Sequence, residues 1–350
     1  MKKEKRIFQG INKKNAEGLG NLPSDPPPWR EFRSKQNRIE RGKKYISSEK
    51  EVEMVNAALY LRRPLLITGP PGVGKSSLAY AVAYELDLGE VLMWPITSKS
   101  NRMEGLYNYD ALARLQEAAL LKSKHELRPE EQNRPIDLPN IGRYITLGPL
   151  GTAFLKSKPD KPSVLLIDEI DKSDIDLPND LLHLFEEGEF EIKEISRLPR
   201  DFGSDSIMVY THGAEESLPV PRDGSVRCSA FPLVFMTSNG EREFPPAFLR
   251  RCLRLNIEQP GEDKLRTIIS QHLGLSIPGR EDPLSSLEHE DTRYLEAFKI
   301  MKEFLSIRDE QHKEVATDQL LNAVYMIMQG VKLSDKERLR MEILKALSDI

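Results

Sequence analysis

The sequence predicts an α/β fold, a parallel sheet between two helical layers (a three-layer αβα arrangement), followed by an all-helical C-terminal domain. Three observations predict it. Residues 64–68 are a short apolar run that leads through a glycine-rich loop into the Ala- and Leu-rich helical pattern of residues 76–86. Residues 164–167 and 231–236 are apolar runs with little polar alternation, as expected of parallel strands buried on both faces. From Gly261 onward the apolar residues recur at three- and four-residue spacing, as in Leu320, Leu321, Val324, Ile327 and Met328.

In chain order, residues 1–45 stand apart, with 13 Lys/Arg against 5 Asp/Glu and Pro26-Pro27-Pro28-Trp29 in the middle. A basic, Pro- and Gly-containing start reads as a flexible arm, either a solvated tail or a docking arm for an acidic neighbour or nucleic acid. Trp29, followed by Arg30 and Phe32, is a candidate for packing onto the globular body. Residues 49–61 place Val52, Val55, Ala58 and Leu59 at helical spacing. Residues 91–96 read as a second strand, 111–121 as a helix, and the polar stretch 122–140 as a loop or insertion. Residues 141–150 alternate enough to predict a hairpin arm ending in a turn. Residues 164–169 form a strand that ends in two acids. Residues 176–188 predict a helix stopped by Gly188, with His183 on its surface or in its packing rather than a ligand. Residues 189–228 predict β-hairpin insertions, including a strand at 207–210. A buried strand at 231–239, a short helix at 244–252 carrying two adjacent arginines, and a last strand at 253–257 follow. Helices are predicted near 262–273, 291–306, 316–329 and 334–348.

The chemistry starts at Gly69-Pro70-Pro71-Gly72-Val73-Gly74-Lys75-Ser76-Ser77, which reads G-x-x-x-x-G-K-S. Gly69, Gly72 and Gly74 let the backbone turn tightly and approach phosphate oxygens. The loop amides and the helix N-terminus then point at the anion. Lys75 is placed to neutralise the β- and γ-phosphates and the Ser76 hydroxyl to bind Mg²⁺. The acids Asp168 and Glu169 end an apolar strand, at the sheet edge that faces the ligand in open α/β folds. Asp168 is placed to hold Mg²⁺ directly or through water, and Glu169 to orient and polarise the attacking water. Asn239, at the end of the 231–239 strand, is placed to hydrogen-bond that water or the γ-phosphate.

Composition excludes several classes. Of the 350 residues, 30% are charged and 39% hydrophobic, and no run of eighteen apolar residues predicts a membrane span. The net charge of -4 argues against a generic polyanion binder. The start, Met1-Lys2-Lys3-Glu4-Lys5-Arg6, lacks the apolar stretch of a signal peptide. The only cysteines, Cys228 and Cys252, make no metal-ligand pattern, so they predict small packing residues in a reducing cytoplasm.

The order of P-loop, Leu165-Leu166-Ile167-Asp168-Glu169, Thr237-Ser238-Asn239 and Phe248-Leu249-Arg250-Arg251 resembles the AAA+ ATPases. The Gly148-Pro149-Leu150 segment before the acidic strand, and the β-rich insertion after Gly188, resemble the MoxR-like branch of the helix-2-insert group. The resemblance spans residues 46–258 and, loosely, the helical lid. After the basic arm at 1–45, it implies an αβα nucleotide-binding P-loop NTPase domain with β-hairpin insertions at 46–258 and a helical lid at 259–350. It implies that Lys75 and Ser76 act with ATP and Mg²⁺, Asp168 and Glu169 as the acidic pair, Asn239 as the first sensor, and Arg251 as an arginine finger with Arg250 as second candidate. It further implies ATP hydrolysis in a homo-oligomeric ring, commonly a hexamer, that remodels a protein partner alongside a von Willebrand A domain protein. A nucleic-acid-linked motor of the McrB type and a nucleotide-dependent scaffold without turnover are the alternatives. One departure stands out: residues 317–323, where a second sensor arginine would sit, hold none.

Overall fold

The computed structural model describes residues 7, 22–23, 26–28, 42–126, 141–198, 205–213, 216–274, 292–310, 315–331, 333 and 337–345. Most of the basic arm, Trp29 included, and most of the 122–140 stretch lie outside the described residues. The chain forms two compact units, one of residues 47–69 and 75–257, the other of residues 1–46, 70–74 and 258–350.

The first unit opens with α1, Glu49–Leu61. Ser48 and Glu51 form a reciprocal capping box: the Glu51 N–H donates to Ser48 Oγ at 3.4 Å and the Ser48 N–H to Glu51 Oε2 at 3.2 Å. Next come β1, Leu65–Thr68, α2, Lys75–Glu85, and β2, Val91–Pro95. Then follow α3, Arg102–Leu106, β3, Tyr107–Tyr109, α4, Ala111–Glu126, β4, Ile145–Leu147, and α5, Pro149–Lys156. Beyond them lie β5, Val164–Asp168, α6, Leu177–Glu187, β6, Glu189–Glu191, and a short α7, Lys193–Ser196. The unit ends with β7, Ser206–Tyr210, β8, Ser217–Pro221, β9, Ser225–Arg227, β10, Leu233–Ser238, α8, Pro246–Arg251, and β11, Leu253–Asn256.

The central sheet has the order β11-β1-β10-β5-β2, all parallel. All six residues of β10 are buried, as are four of the five in β5, which is why both read as unbroken apolar runs. Parallel pairing brings the C-terminal ends of β1, β10 and β5 to one edge, with Thr68 opposite Ser238 and Asp168 opposite Pro95. Gly69, Asn239 and Glu169 each follow directly from that edge. Among the described residues no helix is long and apolar enough to cross a membrane.

The hairpin expected over 141–150 is not formed. Ile141–Tyr144 is a 3₁₀ turn, β4 pairs antiparallel with β3 rather than with its own continuation, and Pro149 begins a helix. The Gly-Pro pair that reads as a turn is a helix start, because proline at the first helical position is already set at the helical φ. Gly148 is required there by close packing: a Cβ would strike the Glu104 and Gly105 carbonyls. The 189–228 stretch does hold the predicted strands. β7 and β8 form an antiparallel hairpin, and β6 pairs with β9. It also holds the unpredicted α7, whose Ile195 is buried. Pro219 and Pro221 lie in β8, an edge strand of the second sheet β3-β4-β7-β8, where a missing N–H costs no ladder bond.

In the second unit the described α-helices include α9, Glu262–Leu273, α10, Thr292–Leu305, which continues into a π-helical turn over Ser306–Glu310, α11, Thr317–Met328, and α12, Glu337–Ile343. Gly274, at φ +66°, stops α9 as a left-handed cap. Leu265, Ile269, Met301, Phe304, Val324 and Ile327 fill the core between the helices.

Candidate functional site

The edge residues of the first unit form one polar network. Lys75 opens α2 and is 7% exposed. Its Nζ donates to the Gly69 carbonyl at 2.6 Å and to Asn239 Oδ1 at 2.7 Å. Burial pushes the Lys75 pKa below the ordinary lysine value, and the carboxylates of Asp171, Asp168 and Glu169 oppose that shift. Ser76, one residue on, donates its hydroxyl to Asp168 Oδ1 at 2.6 Å.

Thr237 ties the two acidic residues to β10. Its hydroxyl donates to Asp168 Oδ1 at 2.7 Å and accepts the Glu169 N–H at 2.9 Å. Glu169 sits at φ +59°, ψ +50°, a left-handed conformation that non-glycine residues adopt at a cost of about 1–3 kcal/mol and that clusters at functional sites. Its Oε2 accepts from Lys172 Nζ at 2.7 Å, and its Oε1 accepts from Asn239 Nδ2 at 3.4 Å. The Lys172 bond raises the Lys172 pKa. Asn239 therefore touches both the buried cation and the acid.

Lys75, Ser76, Asp168, Glu169 and Asn239 thus come together. Ser77 follows them in the first turn of α2, half-buried. Residues 70–74 belong to the other unit. Gly72 and Gly74 are left-handed at φ +77° and +93°, and a Cβ on Gly72 would lie 2.8 Å from Ala316 Cβ, just before α11. That helix holds the 317–323 stretch without an arginine. Arg251 is not part of the polar network: its Nε pairs with Glu186 of α6, and its Nη1 donates to the Ala247 carbonyl at 3.3 Å. The Arg251 guanidinium in turn holds the Glu186 carboxyl below its usual range. Arg250 is exposed, and Arg63 caps the carbonyls of both residues. Sequence reading missed Thr237, Asp171 and Lys172 as parts of the site; the run Asp168-Glu169-Ile170-Asp171-Lys172 was the available signal.

Chemically, the network offers a buried ammonium for an anion and a hydroxyl–carboxylate pair for a hard cation. Mg²⁺ takes one or two carboxylates and completes its shell with water and substrate phosphates, so the Ser76–Asp168 oxygens fit it. Among the described residues no group of three or more His, Cys, Asp or Glu could hold a metal ion by itself. Cys252 is buried with its thiol pushed up to about 12, which suits packing rather than reactivity.

No curated protein matches the chain. Among solved structures it is similar to a Cytophaga hutchinsonii protein assigned as an ATPase, at 11% identity over 67% of this chain and 53% of that one, with a TM-score of 0.36. The chain thus spans about half the length of that protein. It is also similar to C. elegans PCH-2, at 16% identity over 86% of this chain and 73% of that one, TM-score 0.35. A third similar structure is NtrX from Brucella abortus in complex with ADP, at 13% identity over 85% and 55%, TM-score 0.40. The family model of the AAA domain (dynein-related subfamily) matches residues 64–252. That span covers more than half the chain and runs from the start of β1 past Arg251, so the protein belongs to the AAA domain family, dynein-related subfamily.

Proposed function

We propose that this protein binds and hydrolyses ATP with Mg²⁺, and works as a homo-oligomeric ring, with a hexamer favoured. The observation that carries the reading is Asn239, which bridges Lys75 and Glu169 beside the Ser76–Asp168 pair. A nucleotide's terminal phosphates would take over the Lys75 ammonium from Gly69 and Asn239. Burial makes that charge worth more, since the local dielectric is low. Ser76 and Asp168 would hold Mg²⁺, which would supply neutralisation of the charge that develops on the phosphates. Glu169 would orient the attacking water and accept its proton, with Asn239 positioning water and γ-phosphate. Its present partner Lys172 is no obstacle: both side chains are 41% exposed, and an exposed pair is worth about 0–1 kcal/mol.

Arg251 would act in trans on a neighbour's nucleotide after leaving Glu186, with Arg250 as the second candidate. The MoxR-like type, chaperone-like remodelling of a client and a von Willebrand A domain partner are the specific form of this proposal. The β-rich stretch between α6 and β10 supports the MoxR-like type, and the client and the partner are what that resemblance implies. Lys75→Ala tests the nucleotide site: ATP binding falls at least tenfold in equilibrium titration. Wild-type affinity in that variant would end the P-loop reading.

A further inference from the structure

Two residues past Glu169, the chain buries a third acid. Asp171 is 3% exposed. Its Oδ2 accepts the N–H of Asn239 at 2.8 Å and the N–H of Glu241 at 3.1 Å, while its Oδ1 is buried without a hydrogen-bond partner. Arg242 Nη1 adds a bond to the Ser173 carbonyl at 2.7 Å. The turn after β5 is thereby fastened to the turn after β10 on one side, and Thr237 fastens the strands themselves on the other.

We propose that Asp171 is the positioning residue for Asn239: its carboxylate clamps the backbone from which Asn239 reaches Lys75 and Glu169. Burying a carboxylate costs several kcal/mol unless it is well bonded, so an acid at this position calls for a reason beyond filling space. Two backbone amides on one ionised oxygen are charge-assisted bonds, about twice as strong as neutral ones. One of the two amides belongs to Asn239, which contacts both the buried cation and the acid, and the other belongs to Glu241, two residues on. Asp171 lies in the 3₁₀ turn that the left-handed Glu169 opens, and from it reaches the N–H groups of Asn239 and Glu241. Asp171 touches no reacting group itself; it acts through Asn239.

The proposal rests on the reading that this site hydrolyses ATP, so its test has one arm that needs turnover and one that does not. Asp171→Ala lowers kcat roughly 100-fold, the scale of an approximately 1 Å misplacement, with KM for ATP changed less than about threefold. Asp171→Asn keeps an acceptor for both amides and retains at least about a fifth of kcat. The double variant Asp171→Ala/Asn239→Ala is no slower than Asn239→Ala alone, within about twofold, because both changes disable the same group. Losses that multiply would overturn the proposal, as would wild-type kcat in Asp171→Ala. Should the alanine variant not fold, Asp171→Asn decides: a fall as deep as that of Asn239→Ala overturns it. Should the wild type bind ATP without turning it over, amide hydrogen exchange decides instead. Protection at Asn239 and Glu241 is present in the wild type and kept in Asp171→Asn. Exchange as fast in the wild type as in an unstructured peptide overturns the clamp.

Discussion

Removing one hydroxyl, in Thr237→Val, tests how the acidic pair is held. Thr237 is 1% exposed, and valine has nearly its shape, so the change deletes hydrogen bonds and leaves little cavity. Two bonds go: the donation to Asp168 Oδ1 at 2.7 Å and the acceptance from the Glu169 N–H at 2.9 Å. A half-buried donor left unsatisfied costs about 1–3 kcal/mol, and a bond to a charged group about 1.5–3 kcal/mol, part of which Ser76 retains by holding the same oxygen. The expected destabilisation is about 2 kcal/mol, and it falls on a residue whose backbone is already strained. For a unit of this size that is roughly 4–8 °C in Tm by differential scanning fluorimetry. Activity suffers more than stability implies, because Glu169 loses the bond that holds its left-handed backbone: kcat falls about tenfold or more, with KM nearly unchanged. Thr237→Ser keeps the hydroxyl and stays within about threefold of wild type. Wild-type Tm and kcat in Thr237→Val would refute the reasoning.

Two further outcomes follow from the site. The pKa of Lys75 lies below the ordinary lysine value of 10.5, and only the ammonium pairs with phosphate, so ATP affinity declines as pH rises and does so at lower pH than for an exposed lysine. In the apo protein the sign for stability is the reverse: the unfolded chain holds the Lys75 proton in the window between the two pKa values, so this residue's contribution to stability rises with pH there. Titrating ATP affinity between pH 7 and 10 checks the first, and a flat profile rejects it. Arg251→Ala keeps ATP binding and loses about 10³-fold in hydrolysis, and mixing it with Lys75→Ala restores part of the activity as fingers and intact sites meet across subunits. A mixture that stays inactive, with turnover per protomer unchanged between monomer and assembled concentrations, rejects a shared site.

Much of this was legible in the sequence, for physical reasons. β5 and β10 are buried on both faces, so hydrophobicity alone marks them, and Asp168, which ends β5, and Asn239, which follows β10, come to the same edge. The loop into Lys75 shows itself because left-handed turns need glycine, here Gly69, Gly72 and Gly74. The role of Thr237 was not legible, since threonine in a strand reads as a strand former whichever partner its hydroxyl finds. Nor were the roles of Asp171 and Lys172: they depend on Glu169 adopting a positive φ that sequence patterns do not assign to glutamate. The Gly148-Pro149 pair suits both a turn and a helix start, and only the crowding of Gly148 against α3 separates them. The pairing of Arg251 with Glu186 joins residues 65 apart in sequence, which no local spacing encodes.

Glu169→Gln is the most direct test of turnover at this site, measured as steady-state phosphate release beside retention of radiolabelled ATP. The amide keeps the shape and the hydrogen bond to Asn239 but cannot take the proton of the attacking water. Phosphate release falls by about 10²–10⁴, and ATP stays bound on the protein unhydrolysed. Release at the wild-type rate, with no trapped ATP, would contradict hydrolysis by this network.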